Sequence, residues 1–507
     1  MMGKKVLAAK SGRAVCPNAA AGGGIGAKNA KGAKTKPSGI PWIGDIPERW
    51  EIGRLKSVLI ANDGGVWGDD PLDDDSDIIV LRSTEQSIDG RLIIEAPAKR
   101  QLLEGDKEKS LLKEGDLIIT KSSGSQEHIG KTSIIDKTTA SMRCCYSNFL
   151  QRLRVEGSSL FFWYVMNSYM VKMQFDYLAT TTTGLKNLNA QIIGNLQISL
   201  PPLSEQRAIA AYLDDKCGAI DAAVAEAKKG IEEYKAWKKS LIFEVVTGRR
   251  RVGFFNAESQ RRRVAESFST GLTRFTGLGE NLDNPVNPVK TKPSGVSWIG
   301  DVPEGWKVMK LRRLGIFANG ISKGGEFFGK GSPFVSYSDV YKNEALPTVI
   351  KGRLHSTPEE QEKYSVKKGD VFFTRTSETI DEIGFASTCM ENISQATFAG
   401  FLIRFRPTGS EILPSFSKYY FRNKLVSEYF AKELVMVTRA SLGQELLKSL
   451  PVMLPPIPEQ RAIVDYLDEK CSAIDAMIAE KEALIADLEA YKKSLIYEVV
   501  TGKRVVL

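Results

Sequence analysis

The chain has 507 residues, with 70 Lys and Arg against 61 Asp and Glu, for a formal charge of +9. That length exceeds what one hydrophobic core organises and predicts two or three domains, while the basic excess suits an anionic partner such as nucleic acid. Two His (His128, His355) and six scattered Cys (Cys16, Cys144, Cys145, Cys217, Cys389, Cys471) without paired spacing argue against a zinc site or a disulfide framework.

Residues 1–35, containing "AAAGGGIGAKNAKGAK", lack the apolar core of a targeting signal and are expected to form a disordered basic tail. A first globule is expected over 36–203. It opens on "KTKPSGIPWIGDIPERW" (Lys34–Trp50), and "GDLIIT" within "EGDLIITKSSGS" (Glu114–Ser125) predicts a buried strand entered from a turn. Aromatic "LFFWYVMNSYMVKMQF" (Leu160–Phe175) predicts a helix, "TTTTGLKNLN" a loop, and "LPPL" a proline-marked exit.

A helix is expected over 204–247, since no Pro occurs from Glu205 to Val246. Leu213, Ile220, Ala227, Tyr234 and Leu241 recur at every seventh residue, interleaved with Cys217, Val224, Ile231, Lys238 and Val245. This is the seam of a coiled coil of about 42 residues, roughly 63 Å long. A polar linker (248–289) follows.

The remainder repeats the plan, so the chain is a tandem duplication. A second globule over 290–456 opens on "KTKPSGVSWIGDVPEGW" (Lys290–Trp306). "KGDVFFTRTSET" (Lys368–Thr379) answers the first strand phrase, and "GFLIRFRP" (Gly400–Pro407) answers "NFLQRLRV" (Asn148–Val155). "FSKYYFRNKLVSEYFAKEL" (Phe416–Leu434) predicts another helix. The second long helix, 457–502, places Leu467, Ile474, Lys481, Leu488 and Leu495 at one seam position and Cys471, Ile478, Ile485, Lys492 and Val499 at the other.

Either seam, left in water, would forgo about 1.5 to 3 kcal/mol per large apolar side chain. Each helix therefore needs a partner, and its own duplicate is the expected one; the alternative is that each packs on its own globule. The expected fold class is α+β: two mixed α/β domains separated by a long antiparallel two-helix coiled coil with internal pseudo-twofold duplication.

"SGIPWIGDIPERW", "GDLIITKSSGS", "GLKNLNAQIIGNLQISLPPLSEQRAIAAYLDD" and "KKSLIFEVVTG", with their second-half counterparts, resemble the specificity subunit of type I restriction-modification systems. The resemblance runs from Lys34 to Gly502 and leaves out the tail and the stretch from Arg249 to Asn287. It implies two target-recognition domains that each read half of a split double-stranded DNA sequence, with the conserved helices setting the gap. It also implies two methyltransferase subunits as partners, with restriction subunits able to join. S-adenosylmethionine, ATP and Mg would sit on those partners and no cofactor on this chain, which would be cytoplasmic and without a membrane segment.

The residues agree that the chain carries no catalytic centre. The Asn/Asp-Pro-Pro-aromatic tetrapeptide with which adenine methylases hold a flipped base is absent, and "LPPL" and "LPPI" lack its polar acceptor and ring. "GSQEHIGKT" (Gly124–Thr132) has one residue too many between its glycines for a phosphate loop, and "GGGIGA" has no preceding strand. Asp69, Asp70, Asp73, Asp74 and Asp75 read as a solvated acidic loop. Cys217 and Cys471 fall on the seam, as small core residues.

Candidate DNA contacts are donors on loops beside strand ends: Thr120, Lys121, Ser122, Lys186 and Asn187 in the first half, Thr374, Arg375, Thr376 and Arg439 in the second. Arg and Lys suit guanine, Asn suits adenine, and Thr or Ser suits phosphates or bases; the plain alternative is an ordinary solvated loop. The candidate seam is Leu213, Cys217, Ile220, Val224 and Ile231 with Leu467, Cys471, Ile474, Ile478 and Ile485. Glu205, Arg207, Asp214 and Asp215, with their copies Glu459, Arg461, Asp468 and Glu469, are candidates for docking a methylating partner. The rival reading is a coiled-coil scaffold whose heads bind proteins, which would need neither the basic balance nor the paired strand phrases.

Overall fold

The computed structural model of the chain describes residues 34–178, 180–182, 185–252, 290–377, 383–433 and 440–506. The expected tail, most of the expected linker and Arg439 lie outside them. Two compact units are present, one formed by Met1–Val224 with Ala486–Leu507, the other by Ala225–Ile485. Their boundary falls inside both long helices, α1 (Leu203–Val246) and α2 (Ile457–Val500).

In the first unit a four-stranded antiparallel sheet runs in the order β1 (Leu59–Gly64), β4 (Leu150–Val155), β2 (Leu117–Thr120), β3 (Thr132–Ile134). The buried run "LIIT" forms β2 as the turn-then-apolar pattern predicts, and all four of its residues are inaccessible. Here the hairpin of β5 (Thr180–Thr182) and β6 (Leu185–Asn187) stands where a loop was expected. Glu51–Arg54 pairs with Gln197–Leu200, so the globule's beginning and end close on each other just before α1.

The second unit repeats this plan. Its four-stranded sheet has the order β7 (Gly315–Asn319), β11 (Leu402–Pro407), β8 (Val371–Thr374), β10 (Ala386–Thr388), and Lys307–Lys310 pairs with Pro451–Leu454. Two further short strands, β9 (Thr376–Ser377) and β12 (Ala440–Ser441), pair with each other.

Two expected helices are each a pair of short helices instead. The first splits into Ser159–Met166 and Tyr169–Leu178, because the Asn167 side chain turns to the carbonyl of Thr132 at 2.9 Å. The second splits into Pro414–Tyr420 and Lys424–Glu433, and Asn423 at the break accepts from the Leu425 amide at 2.7 Å. In both, an Asn that offers its side chain to the backbone ends one helix and begins the next.

Both long helices end in the same way. Gly248 (φ +74) and Gly502 (φ +73) adopt the left-handed conformation that favours glycine at a helix C-terminus, and Arg250 and Lys503 return their amides to Glu244 and Glu498. A Cβ on Gly248 would stand 2.7 Å from Pro303 and 3.2 Å from Trp306; one on Gly502 would collide with Pro47 and stand 3.1 Å from Trp50. Each helix exit is thus seated on the "DxPxxW" phrase of the opposite half of the sequence. Tyr497 Oη, donating to the Trp42 carbonyl at 3.0 Å, fixes the α2 exit further.

Leu213, Cys217, Ile220, Val224 and Ile231 of α1 and Leu467, Cys471 and Ile474 of α2 are buried, while Ile478 and Ile485 are half-buried. In the second unit Leu241, Val245, Leu467, Cys471 and Ile474 share one apolar core with the sheet residues Val371, Phe373 and Phe405. Burial pushes the thiols of Cys217 and Cys471 up to about 11, as suits small core residues and not reactive thiols.

Among the described residues, the polar seam residues Lys492 and Lys238 each reach an Asp on the other helix within their own unit. Asp221 receives Lys492 at 2.6 Å in the first unit, and Asp475 receives Lys238 at 2.8 Å in the second. The four residues are two duplicated positions with the donor and acceptor helices exchanged. Burial is the largest single influence and lowers the Lys238 ammonium, but the bond to Asp475 together with the nearby charges of Glu344 and Asp475 turns the net shift upward.

Candidate nucleic-acid interface

The two sheets present matching ends. In the first unit β2 stops at Thr120, β4 starts at Leu150, and these two residues are register partners. Lys121 then donates its amide to the Phe149 carbonyl at 3.0 Å and accepts from the Leu188 amide at 2.8 Å. Ser122 bridges to Asn187, which stands exposed at the end of β6. Two loops far apart in sequence therefore meet, bringing Lys121, Ser122 and Asn187 to one sheet end. Of Lys186 only the backbone, paired with Thr181, is described.

The second unit builds the same junction. Thr374 at the end of β8 pairs with Leu402, Arg375 donates its amide to the Phe401 carbonyl at 3.0 Å, and Leu442 donates to the Arg375 carbonyl at 2.7 Å. Thr376 pairs with Ser441. The half-buried Arg375 takes the place of Lys121, and β12 takes the place of the β5–β6 hairpin. Burial alone lowers the Lys121 ammonium from its ordinary value, marking a cation partly stripped of water.

Thr120 and Thr374 do not serve as expected. Both lie on the strands and not on the loops after them, and both are fully buried. The Thr120 hydroxyl donates to Gln86 Oε1 at 2.5 Å, and Gln86 in turn donates to the Ile118 carbonyl and to Ser133 Oγ, each at 2.9 Å. A buried hydroxyl inside such a network is committed to the fold.

Sequence reasoning also missed why the "GD" and "RxR" phrases travel together. Arg154 grips the buried Asp116 carboxylate with two bonds of 2.7 Å, and Arg406 grips Asp370 with two of 2.6 Å. Asp116 and Asp370 also accept from the Lys113 and Lys367 amides at 2.8 Å. These bidentate pairs brace the sheet. The signal that could have found them is the retention of Asp and Arg at matching places in both halves.

The proposed docking charges divide. Arg207, Asp214, Asp215, Arg461 and Glu469 are exposed, with Asp215 and Glu469 beside Lys216 and Lys470 at 2.9 and 3.0 Å. Glu205 and Glu459 are buried, so neither stands on the surface as a docking charge would. Glu205 accepts from Trp50 Nε1 at 2.8 Å and from Arg49 at 2.7 Å, while Glu459 faces Arg251 at 3.8 Å. Asp468 is engaged within its own unit by Lys418 at 2.8 Å and Tyr419 Oη at 2.5 Å.

Among the described residues no His, Cys, Asp and Glu cluster could hold a metal ion, and no helix is long and apolar enough to cross a membrane.

A family model described as the type I restriction modification DNA specificity domain matches residues 47–232 and again 303–487. A curated relative from Methanocaldococcus jannaschii, assigned as the MjaX type I restriction enzyme specificity subunit, is 24% identical over 91% of this chain and 95% of its own. The EcoKI type I restriction enzyme specificity subunit of Escherichia coli is 21% identical over 78% of this chain and 76% of its own. A chain solved in work on complex assembly and conformational transition of the type I R-M system superposes with a TM-score of 0.62 at 16% identity, covering 90% of this chain and 99% of that one. That likeness shows the shared fold.

Proposed function

We propose a function for this chain from one premise: it belongs to the family of type I restriction-modification DNA specificity proteins, whose domain model matches it twice. The chain is accordingly a DNA-recognition subunit and not itself an enzyme. Each unit, in this reading, recognises one half of a bipartite target with the loop cluster at its sheet end: Lys121, Ser122 and Asn187, with Lys186, in the first, and Arg375 and Thr376, with Arg439, in the second. The observation that carries it is the same junction built twice, a cation just past the central strand tied by backbone bonds to a second loop, with different side chains in each copy. Invariant backbone with changed donors is what two readers of two different half-sites require.

The two long helices would run as one antiparallel coiled coil that carries both recognition domains, over the domain limits expected from sequence. The exchanged ion pairs Asp221–Lys492 and Lys238–Asp475 support this, because a Lys at a seam position paired with an Asp flanking the other seam favours one register. Two methyltransferase subunits, bringing S-adenosylmethionine, would dock on exposed helix charges, with Arg207, Asp214 and Asp215 and their copies Arg461 and Glu469 as the candidates. Restriction subunits would supply ATP- and Mg-dependent cleavage, and the complex would work in the cytoplasm.

The test maps methylated adenines in host DNA with and without this chain, and again after residues 54–200 are exchanged for those of a relative. One bipartite motif should vanish with the chain, and the exchange should alter only one half of it. An unchanged methylation pattern, or both halves changing together, would overturn the reading.

A further inference from the structure

Resting on that reading, we infer that Phe149 and Phe401 are the apolar DNA contacts of the two recognition surfaces, each setting its ring against a base step or a thymine methyl of one half-site. The two residues occupy the same place in the two units. Phe149 is the third residue of the turn Ser147–Leu150, closed by the Leu150 amide on the Ser147 carbonyl at 2.9 Å. Phe401 is the third residue of the turn Ala399–Leu402, closed at 3.0 Å. The rings are 55% and 66% exposed.

Neither fold nor turn chemistry explains them. Tight-turn corners favour Gly, Asn, Asp, Ser and Pro for backbone reasons, none of which a Phe satisfies. A ring left in water contributes none of the roughly 1.5 to 3 kcal/mol that burial would return. The neighbouring turn residue has changed between the halves, Asn148 against Gly400, while the exposed Phe is present in both.

Both turns are held by rigid backbone that is bonded to a residue carrying a cationic side chain. The Phe149 carbonyl takes the Lys121 amide and that of Phe401 takes the Arg375 amide. Ser147 and Ala399 anchor the other side of each turn, on the Leu81 and Val335 carbonyls at 2.8 and 3.0 Å. A fixed apolar edge whose turn is tied through its backbone to a cationic residue matches the surface of a duplex, where base edges lie between phosphate strands. A purely protein-binding patch would not need the cation in both copies.

The test uses the full chain in complex with its methylating subunits, a duplex carrying the mapped target, and Phe149→Ala, Phe401→Ala and Lys121→Ala variants. Each Phe variant should weaken specific binding about tenfold, leave binding to unrelated duplex unchanged, and leave the dependence on salt unchanged. Lys121→Ala should flatten the salt dependence by about one ion, because it removes a charge. Wild-type affinity in both Phe variants, alongside a wild-type complex that prefers its target, would overturn this inference alone. So would loss of the methylating subunits from the Phe variants, which would make these rings protein contacts. A wild-type complex with no preference for the mapped duplex would overturn the recognition reading and this inference with it.

Discussion

The first and second units contain near copies of one phrase but wire them differently. In the first, Glu205 at the start of α1 receives both the Trp50 indole and the Arg49 guanidinium, so the opening phrase is clamped to the helix. In the second, Gly305 stands where Arg49 does, and among the described residues Glu459 meets Arg251 at 3.8 Å while Trp306 Nε1 finds no partner. Duplication preserved the buried carboxylate and the buried Trp but not the bonds between them. Equal sequence motifs therefore do not imply equal stability.

What the units share should give the largest effect. Asp116→Ala and Asp370→Ala each leave a half-buried guanidinium without its bidentate partner, and each should cost its own unit about 3 kcal/mol. Amide exchange, which reports on each unit separately, checks this. If one unit tolerated the change, the two sheets would not be braced alike.

Where the units differ, the cost should differ. Glu205→Ala strips a hydrogen-bonded charge from a buried indole and should cost the first unit about 1.5 to 3 kcal/mol. Glu459→Ala, with one long contact to lose, should cost under about 1 kcal/mol. Equal losses would show the geometric difference to be energetically empty. Smallest of all, Gly305→Arg should add up to about 1 kcal/mol to the second unit by supplying the missing guanidinium. The site is open, since a Cβ there meets nothing within 4 Å. A loss of stability on that substitution would contradict the account of the clamp.

The duplication, the two long helices and the buried strands were legible because they are written in local periodicity and in repeated phrases. Burial of most of the apolar heptad positions, both cysteines included, was legible for the same reason. Burial of individual polar groups was not. Thr120 is committed because Gln86 lies beside it in space, and Glu205 because Trp50 does, and neither partner is near in the chain. The helix breaks at Asn167 and Asn423 depend on where those amides find backbone, which apolar pattern does not encode. The loops of the candidate interface were named one by one from sequence. Their convergence on a single sheet end in each unit came only from strand register.

The central claim is that each unit reads its own half-site, and the most direct measurement crosses two substitutions with two scrambled duplexes. Binding of the complex is measured for Lys121→Ala and Arg375→Ala on the mapped target and on targets with either half scrambled. Because contacts in separate half-sites are independent, their effects should add. Each variant should lose about 1 to 3 kcal/mol on the intact target, lose as much when the other half is scrambled, and lose only its smaller, sequence-independent phosphate share when its own half is. Variants equally sensitive to scrambling of either half would contradict the claim.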